Sequence, residues 1–152
     1  IGHLQRNKAK VAVGKFDMLE TVDSWRLAVT LERHCKEINK QIPVLIEINS
    51  GREDNKTGIY PEETLSLIEK ISNLDFVQVR GLMTMGPRVG NPEDARPYYR
   101  TTYKIFQEVT DLHLPNVEMK YLSMGMSNSY QIAIEEGANI IRIGSKVFGE
   151  RE

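Results

Sequence analysis

The sequence predicts an α/β fold of parallel βαβ units, either an open α/β sheet or the C-terminal three-quarters of an eight-stranded β/α barrel. Three observations predict it. Strand-like and helix-like patterns alternate along the whole chain. The connections between successive strands are far too long for hairpins, so the strands run parallel. The clearest strand, Val44-Leu45-Ile46-Glu47-Ile48-Asn49, is almost continuously apolar, as a strand covered on both faces is.

The elements follow in order. Ile1-Gly2 reads as the end of a strand already in progress, and a polar loop runs from Gly2 to Lys8. Residues 9–16 suit a short helix and residues 18–22 a short strand. Asp23 or Ser24 caps a helix to about Asn39. Its apolar positions Leu27, Ala28, Leu31, Cys35 and Ile38 recur every three or four residues. After strand 44–49 comes a charged loop, 50–58, then a helix from Pro61 to about Ser72 with Leu65, Ile68 and Ile71 inward. Residues 76–83 form the next strand, and residues 84–91, with Gly86, Pro87 and Gly90, a loop. A long helix starts at Asn91-Pro92 and runs to about Leu112, carrying a stripe of Tyr99, Tyr103, Phe106 and Val109, with Pro97 as a kink in its first turn. Strand 121–123, helix 129–136 with its stop at Gly137, and strand 140–143 complete the chain. That makes six strands, counting the stub at Ile1.

The last stretch organises the rest. Two turns, Met124-Gly125-Met126-Ser127-Asn128 and Gly144-Ser145, follow strands and present small residues and free backbone N–H groups. A helix starts directly after the first, and its unpaired N–H groups and positive dipole end suit an anion. Two such turns one unit apart can close on one phosphate, with Arg142 adding charge at the same rim. Glycine-rich turns are also ordinary β/α loops; the pairing of two turns with Arg142 is what favours phosphate.

Bulk properties exclude several classes. The 152 residues suit one domain, 1–152, with no linker-like segment or repeat. Net charge is −1, from 20 basic and 21 acidic residues, which gives no electrostatic reason to expect nucleic acid or an anionic membrane surface. No apolar run reaches the roughly 18 residues of a membrane span, and no signal-peptide pattern is present. A single cysteine, Cys35, leaves no intramolecular disulfide and suits a reducing cytoplasm; on an apolar helix stripe it reads as an inert thiol. His3, His34 and His113 are scattered, so no metal-ligand spacing exists. There is no nucleophile elbow around Ser127 and no Walker A sequence. Lys8 and Lys56 are loop amines able to meet a carbonyl, and Glu53-Asp54-Asn55-Lys56 reads as a solvated loop. Met83, Met85, Met124 and Met126 read as core, with flexible thioethers able to line a flat ligand as the alternative.

Several motifs occur together in order: Ile1-Gly2-His3-Leu4-Gln5-Arg6-Asn7-Lys8; Ile46-Glu47-Ile48-Asn49 leading to Asn55-Lys56-Thr57-Gly58; and Arg80-Gly81-Leu82-Met83. They are followed by Leu122-Ser123-Met124-Gly125-Met126-Ser127 and by Ile141-Arg142-Ile143-Gly144-Ser145 with Phe148-Gly149. Over its whole length the sequence resembles the pyridoxal 5′-phosphate homeostasis protein family. The resemblance implies a single TIM-like (β/α)8 barrel, similar to the N-terminal barrel of alanine racemase (fold type III among pyridoxal phosphate proteins). It implies a monomer that binds the cofactor and helps to balance its free level and that of amino and keto acids, without established turnover. The alternatives are a racemase- or decarboxylase-like enzyme on the same barrel and an unrelated phosphate-binding module. By the resemblance, Ser127, Gly144 and Ser145 hold the cofactor phosphate, with Gly125 and Met126 in the first turn. Arg142 lies by the ring nitrogen or the phosphate, and Asn7 and Met83 approach the ring. An arginine at the ring nitrogen keeps it unprotonated and restrains carbanion chemistry. The family's Schiff-base lysine precedes Gly-His-Leu-Gln, so the first two strands, the start of the third and that lysine are expected upstream of Ile1. Two departures alter charge near the phosphate: Asn128-Ser129 where many members carry Asp, and Lys146 after Ser145.

Overall fold

The structure is a computed structural model that describes residues 2–86 and 90–149. The strand stub expected at Ile1 lies outside the described residues. A single turn of 3-10 helix, Arg6–Lys8, leads into helix α1 (Ala9–Lys15) and strand β1 (Leu19–Val22). Helix α2 (Trp25–Glu37) starts at Ser24, whose hydroxyl accepts the Leu27 N–H. Strand β2 (Ile42–Ile48) follows, then α3 (Thr64–Ile71) behind a 3-10 turn at Pro61–Glu63. Strand β3 (Val77–Thr84) precedes a second 3-10 turn, Pro92–Ala95, and the long helix α4 (Arg96–Asp111). Strand β4 (Val117–Met126), α5 (Tyr130–Glu135), β5 (Ile140–Arg142) and α6 (Ser145–Phe148) complete the order.

The five strands form one parallel sheet in the order β1-β2-β3-β4-β5. That order decides between the two architectures. A doubly wound sheet reverses direction and puts helices on both faces. Here every crossover moves on by one strand, and right-handed crossovers then leave all the helices on one side. The core lies on that side: Val44, Ile46 and Ile48 of β2, Leu82 of β3, and Leu122 and Met124 of β4 pack with Leu27, Leu31, Ile68 and Val109. The other face is concave. The Ser123 hydroxyl on β4 donates to the Glu20 carboxylate on β1 across 2.7 Å. Three strand spacings of a flat sheet are roughly 14 Å, more than these two side chains and a hydrogen bond span. The sheet is therefore curled, as in part of a β/α barrel.

Local details depart from the sequence-based expectations for identifiable reasons. Ile38 ends α2 as its C-cap and is 53% exposed instead of buried. On α3 the inward side chains are Leu67, Ile68 and Ile71, with Leu65 at the margin. On α4 the buried stripe is Tyr99, Thr102, Ile105 and Val109; Tyr103 is exposed and Phe106 half-buried. Both buried stripes run through a threonine, Thr64 and Thr102, whose hydroxyl donates to the carbonyl four residues before it, so a polar residue sits on the inward face without cost. Strand β4 is far longer than residues 121–123, because its outer half (Val117 to Tyr121) is half-exposed and lacks a continuous apolar run. Gly81 sits where the β3–β4 register slips; its φ is +152°, and a Cβ would collide with the Tyr121 carbonyl. The Glu32 carboxylate on α2 accepts the N–H groups of Asp75, Phe76 and Val77 at 3.0–3.1 Å, which fixes the start of β3. Among the described residues no helix is long and apolar enough to cross a membrane.

Candidate functional site

Strand alternation aims one set of side chains into the concavity: Glu20 of β1, Leu45 and Glu47 of β2, Met83 of β3, Ser123 of β4 and Arg142 of β5. Leu45, Glu47, Met83 and Ser123 are fully or almost fully buried, yet stand apart from the helix-side core. Arg142 is the hub. Its guanidinium donates to the Ser123 hydroxyl, to the Thr84 carbonyl at 2.7 Å and to the Met85 sulfur at 3.6 Å. Ser123 passes the connection on to Glu20. Burial pulls the Arg142 pKa below its usual value, with Glu20, Tyr99 and Glu47 opposing that pull electrostatically. The Nε of Arg142 is buried and has no partner among the described residues.

Glu47 is 3% exposed. Its Oε1 accepts the Thr57 hydroxyl at 2.7 Å, while its Oε2 has no partner among the described residues. Burial pushes its carboxyl above the usual range, against the Thr57 hydrogen bond.

Above this floor lies a cavity of about 580 Å³ between the loops after β2, β3 and β4. Glu47, Ile48, Asn49, Ser50, Asn55, Lys56, Thr57, Met85, Gly86, Met126, Asn128 and Ser129 are among its walls. The 53–56 loop, read from sequence as a solvated face, is tied across the rim: Lys56 bridges the Glu53 carboxylate at 2.5 Å and the Gly86 carbonyl at 3.0 Å. The four methionines divide: Met83 and Met124 are fully buried, whereas Met85 and Met126 line the cavity.

The two glycine-rich turns do meet. Ser127 Oγ accepts the Gly144 N–H at 3.1 Å and the Lys146 N–H at 3.3 Å, so two backbone donors converge on one oxygen. Ser145 starts α6 beside them and is exposed. The first turn lies later than expected, since Met124, Gly125 and Met126 are still strand. Gly125 has φ +89°, and a Cβ there would stand 2.6 Å from that of Ala133, so only glycine lets α5 seat this close. Tyr99 and Ser129 share a buried hydroxyl contact at 2.7 Å behind the turn. Lys146 turns its amine to Tyr130, 3.3 Å from the hydroxyl and 4.7 Å from the ring centroid, rather than inward. Of the other expected site residues, Met83 pairs in register with Glu47 on the concave face, and Arg142 lies below the cradle. Asn7 is exposed in the 3-10 turn before α1; of the expected site residues Met126 lines the cavity, whereas Asn7, Met83, Gly125, Ser127, Arg142, Gly144 and Ser145 do not.

Sequence reasoning passed over Glu20, Glu47, Ser123, Thr57 and Thr84. A signal was present for the first two: each is a lone carboxylate inside a strand, Glu47 in an otherwise apolar one, where an unpaired charge is costly.

The sequence matches the family Alanine racemase, N-terminal domain, over residues 1–152. The chain belongs to this family. Within the family it is similar to the pyridoxal phosphate homeostasis protein of Aquifex aeolicus, 43% identical over 100% of this chain and 66% of that protein. It is likewise similar to the mouse (Mus musculus) protein of the same name, 39% identical over 100% of this chain and 58% of that one. The chain thus spans less than two thirds of the length of these relatives. Among solved structures, PipY of Synechococcus elongatus matches with a TM-score of 0.90 and 33% identity over 98% of this chain and 69% of PipY. PipY solved with PLP bound gives a TM-score of 0.86, at 32% identity over 98% of this chain and 68% of that one. An alanine racemase from Clostridium difficile, at 18% identity, has the same fold with a TM-score of 0.72, covering 99% of this chain and 41% of the racemase.

Proposed function

We propose that residues 1–152 form one pyridoxal 5′-phosphate-binding domain of a protein that keeps the level of this cofactor in balance. The observation that carries the reading is the convergence of the Gly144 and Lys146 N–H groups on a single oxygen, Ser127 Oγ. That is the donor arrangement a phosphate oxygen needs. The concave face also fits the rest of the group. It is lined by Met83 and Leu45, offers a cation in Arg142, and keeps two buried polar atoms, Arg142 Nε and Glu47 Oε2, without partners among the described residues. PipY, a relative with PLP bound, supports the same assignment.

In this reading Ser127, Gly144 and Ser145 hold the phosphate, and Gly125 keeps the turn close to α5. Arg142 faces the ring, Met83 and Met126 supply apolar walls, and Asn7 acts from the edge of the site. Bound pyridoxal phosphate supplies an aldehyde that condenses reversibly with amines. The protein's part is to bind, orient and shield it, and an arginine rather than an acid beside the ring favours storage over turnover. The same reading makes it a cytoplasmic monomer that also engages amino and keto acids.

Titration of the protein with pyridoxal 5′-phosphate, followed by its near-ultraviolet absorbance and by equilibrium dialysis, tests this. Saturable binding that inorganic phosphate competes away is expected. Ser127→Asp, which sets a carboxylate against the phosphate, is expected to weaken it at least tenfold while the circular dichroism spectrum is kept. Absence of saturable binding to the wild-type protein sinks the proposal.

A further inference from the structure

We propose that Glu47 is a direct ligand contact of the 580 Å³ cavity, its Oε2 donating a hydrogen bond to an uncharged oxygen of the bound molecule, at the end remote from the phosphate. This rests on the pyridoxal phosphate reading and deepens it: phosphate at the β4–β5 turns, a carbonyl or ring hydroxyl oxygen at β2.

The geometry leads there step by step. Glu47 is part of the cavity wall although it is almost wholly buried. One of its oxygens is committed, accepting the Thr57 hydroxyl at 2.7 Å. The other has no partner among the described residues, and a buried polar atom without one is costly enough to demand an explanation. The cavity, to whose wall Glu47 belongs, is where that partner can come from. Directly across the ladder sits Met83, which offers no strong acceptor. Of the charged groups around Glu47, Asp23 disfavours its ionisation, while His3 and Arg142 favour it. Asp23 and His3 are themselves paired at 3.4 Å, and Arg142 is engaged by Ser123, Thr84 and Met85. Desolvation outweighs the two favourable charges, so the carboxyl holds its proton more firmly than an exposed one. A protonated Glu47 accepts from Thr57 at Oε1 and donates from Oε2. An ionised one would set a bare charge against any acceptor in the cavity.

The donor role has a signature that a merely structural carboxyl lacks. Glu47→Gln reproduces the neutral acid: its amide oxygen accepts from Thr57 and its NH2 faces the cavity. Glu47→Leu removes the donor and, with it, the buried orphan oxygen, so the variant is expected to fold. The experiment is equilibrium titration of wild type, E47Q and E47L with pyridoxal 5′-phosphate between pH 5 and 8, with thermal melts as the fold control.

Expected is affinity within about threefold of wild type for E47Q at pH 5 and about tenfold weaker for E47L. The ratio of wild-type to E47Q affinity is expected to fall as pH rises, because only the wild type loses its donor by ionising. Taking that ratio cancels the titration of the ligand itself. If E47L binds as tightly as wild type, the inference is overturned while the pyridoxal phosphate reading stands. If E47Q is as weak as E47L, the group acts as an accepting carboxylate and the donor assignment is overturned. If the wild type does not bind at all, both readings fall.

Discussion

Arg142 and Glu47 both carry ionisable groups into the concavity, and each meets the cost of burial differently. Arg142 commits its outer nitrogens to Ser123 and the Thr84 carbonyl. Arg142→Met leaves the buried Ser123 hydroxyl and Thr84 carbonyl without their donor, so it is expected to lower stability by about 1–3 kcal/mol in urea denaturation, while pyridoxal phosphate affinity drops at least tenfold. Glu47 instead favours its proton. Its folded pKa lies above the ordinary value of 4.5, so the folded state binds the proton more tightly than the unfolded one. The stability this contributes is complete below the unfolded pKa and is lost as pH rises through the folded one. Melting temperatures measured upward from pH 4.5 should accordingly fall more for wild type than for E47Q; parallel profiles would show that burial does not perturb this carboxyl.

Two elements set the shape of the cradle. The first is the close seat of α5 on β4. In Gly125→Ala a methyl meets Ala133 and the Tyr130 backbone at a φ of +89°. The expected loss is about 1–3 kcal/mol, read from urea denaturation, with weaker ligand binding because Ser127 moves with the turn. The second is the tie between α4 and α5. Arg96 donates to Glu93, Glu135 and Glu136, each at 2.7–2.8 Å, and Arg100 adds a bond to Glu136 at 3.0 Å. The Arg96 hydrogen bond holds the Glu93 carboxyl below its usual range. For Glu136 burial pushes the carboxyl up, and the bonds from Arg96 and Arg100 outweigh it. Both carboxyls therefore stabilise the fold above their unfolded pKa, and that contribution is lost as pH falls through the lowered folded values. Arg96→Gln should lower the melting temperature at pH 7, and the difference from wild type should shrink in acid and in high salt. A difference that persists in acid would assign the effect to packing of the arginine stem.

At the scale of the whole molecule, one buried cluster joins side chains of α1 to α5 with those of β1 to β4. Cys35 is a probe of it: it is wholly buried on α2, and burial pushes its thiol up to about 11. Alkylation at pH 8 should be slow and should follow global unfolding, accelerating in step with the denaturation curve. Fast labelling under native conditions would reveal a local opening of α2 away from β2.

The alternation of strands and helices, the parallel direction and the near-complete burial of β2 were legible in the residues alone, because apolar periodicity and connection length are local quantities. So was the pair of turns at Ser127 and Gly144-Ser145, since small residues after a strand announce free N–H groups. The phases of α3 and α4 were not, because each buried stripe includes a threonine, Thr64 or Thr102, whose hydroxyl is satisfied by the carbonyl four residues back and which apolar spacing does not mark. The curl was foreseen through the resemblance to the alanine racemase barrel, whereas alternation alone left an open sheet standing, because curling depends on how five strands twist together, as Ser123 reaching Glu20 from three strands away shows. With the curl came the decisive part of the site: it turned Glu20, Glu47, Ser123 and Arg142 towards one another. Sequence determines which residue types alternate along each strand; tertiary structure decides which of their faces closes on itself, because that is set by long-range packing rather than by neighbours in the chain.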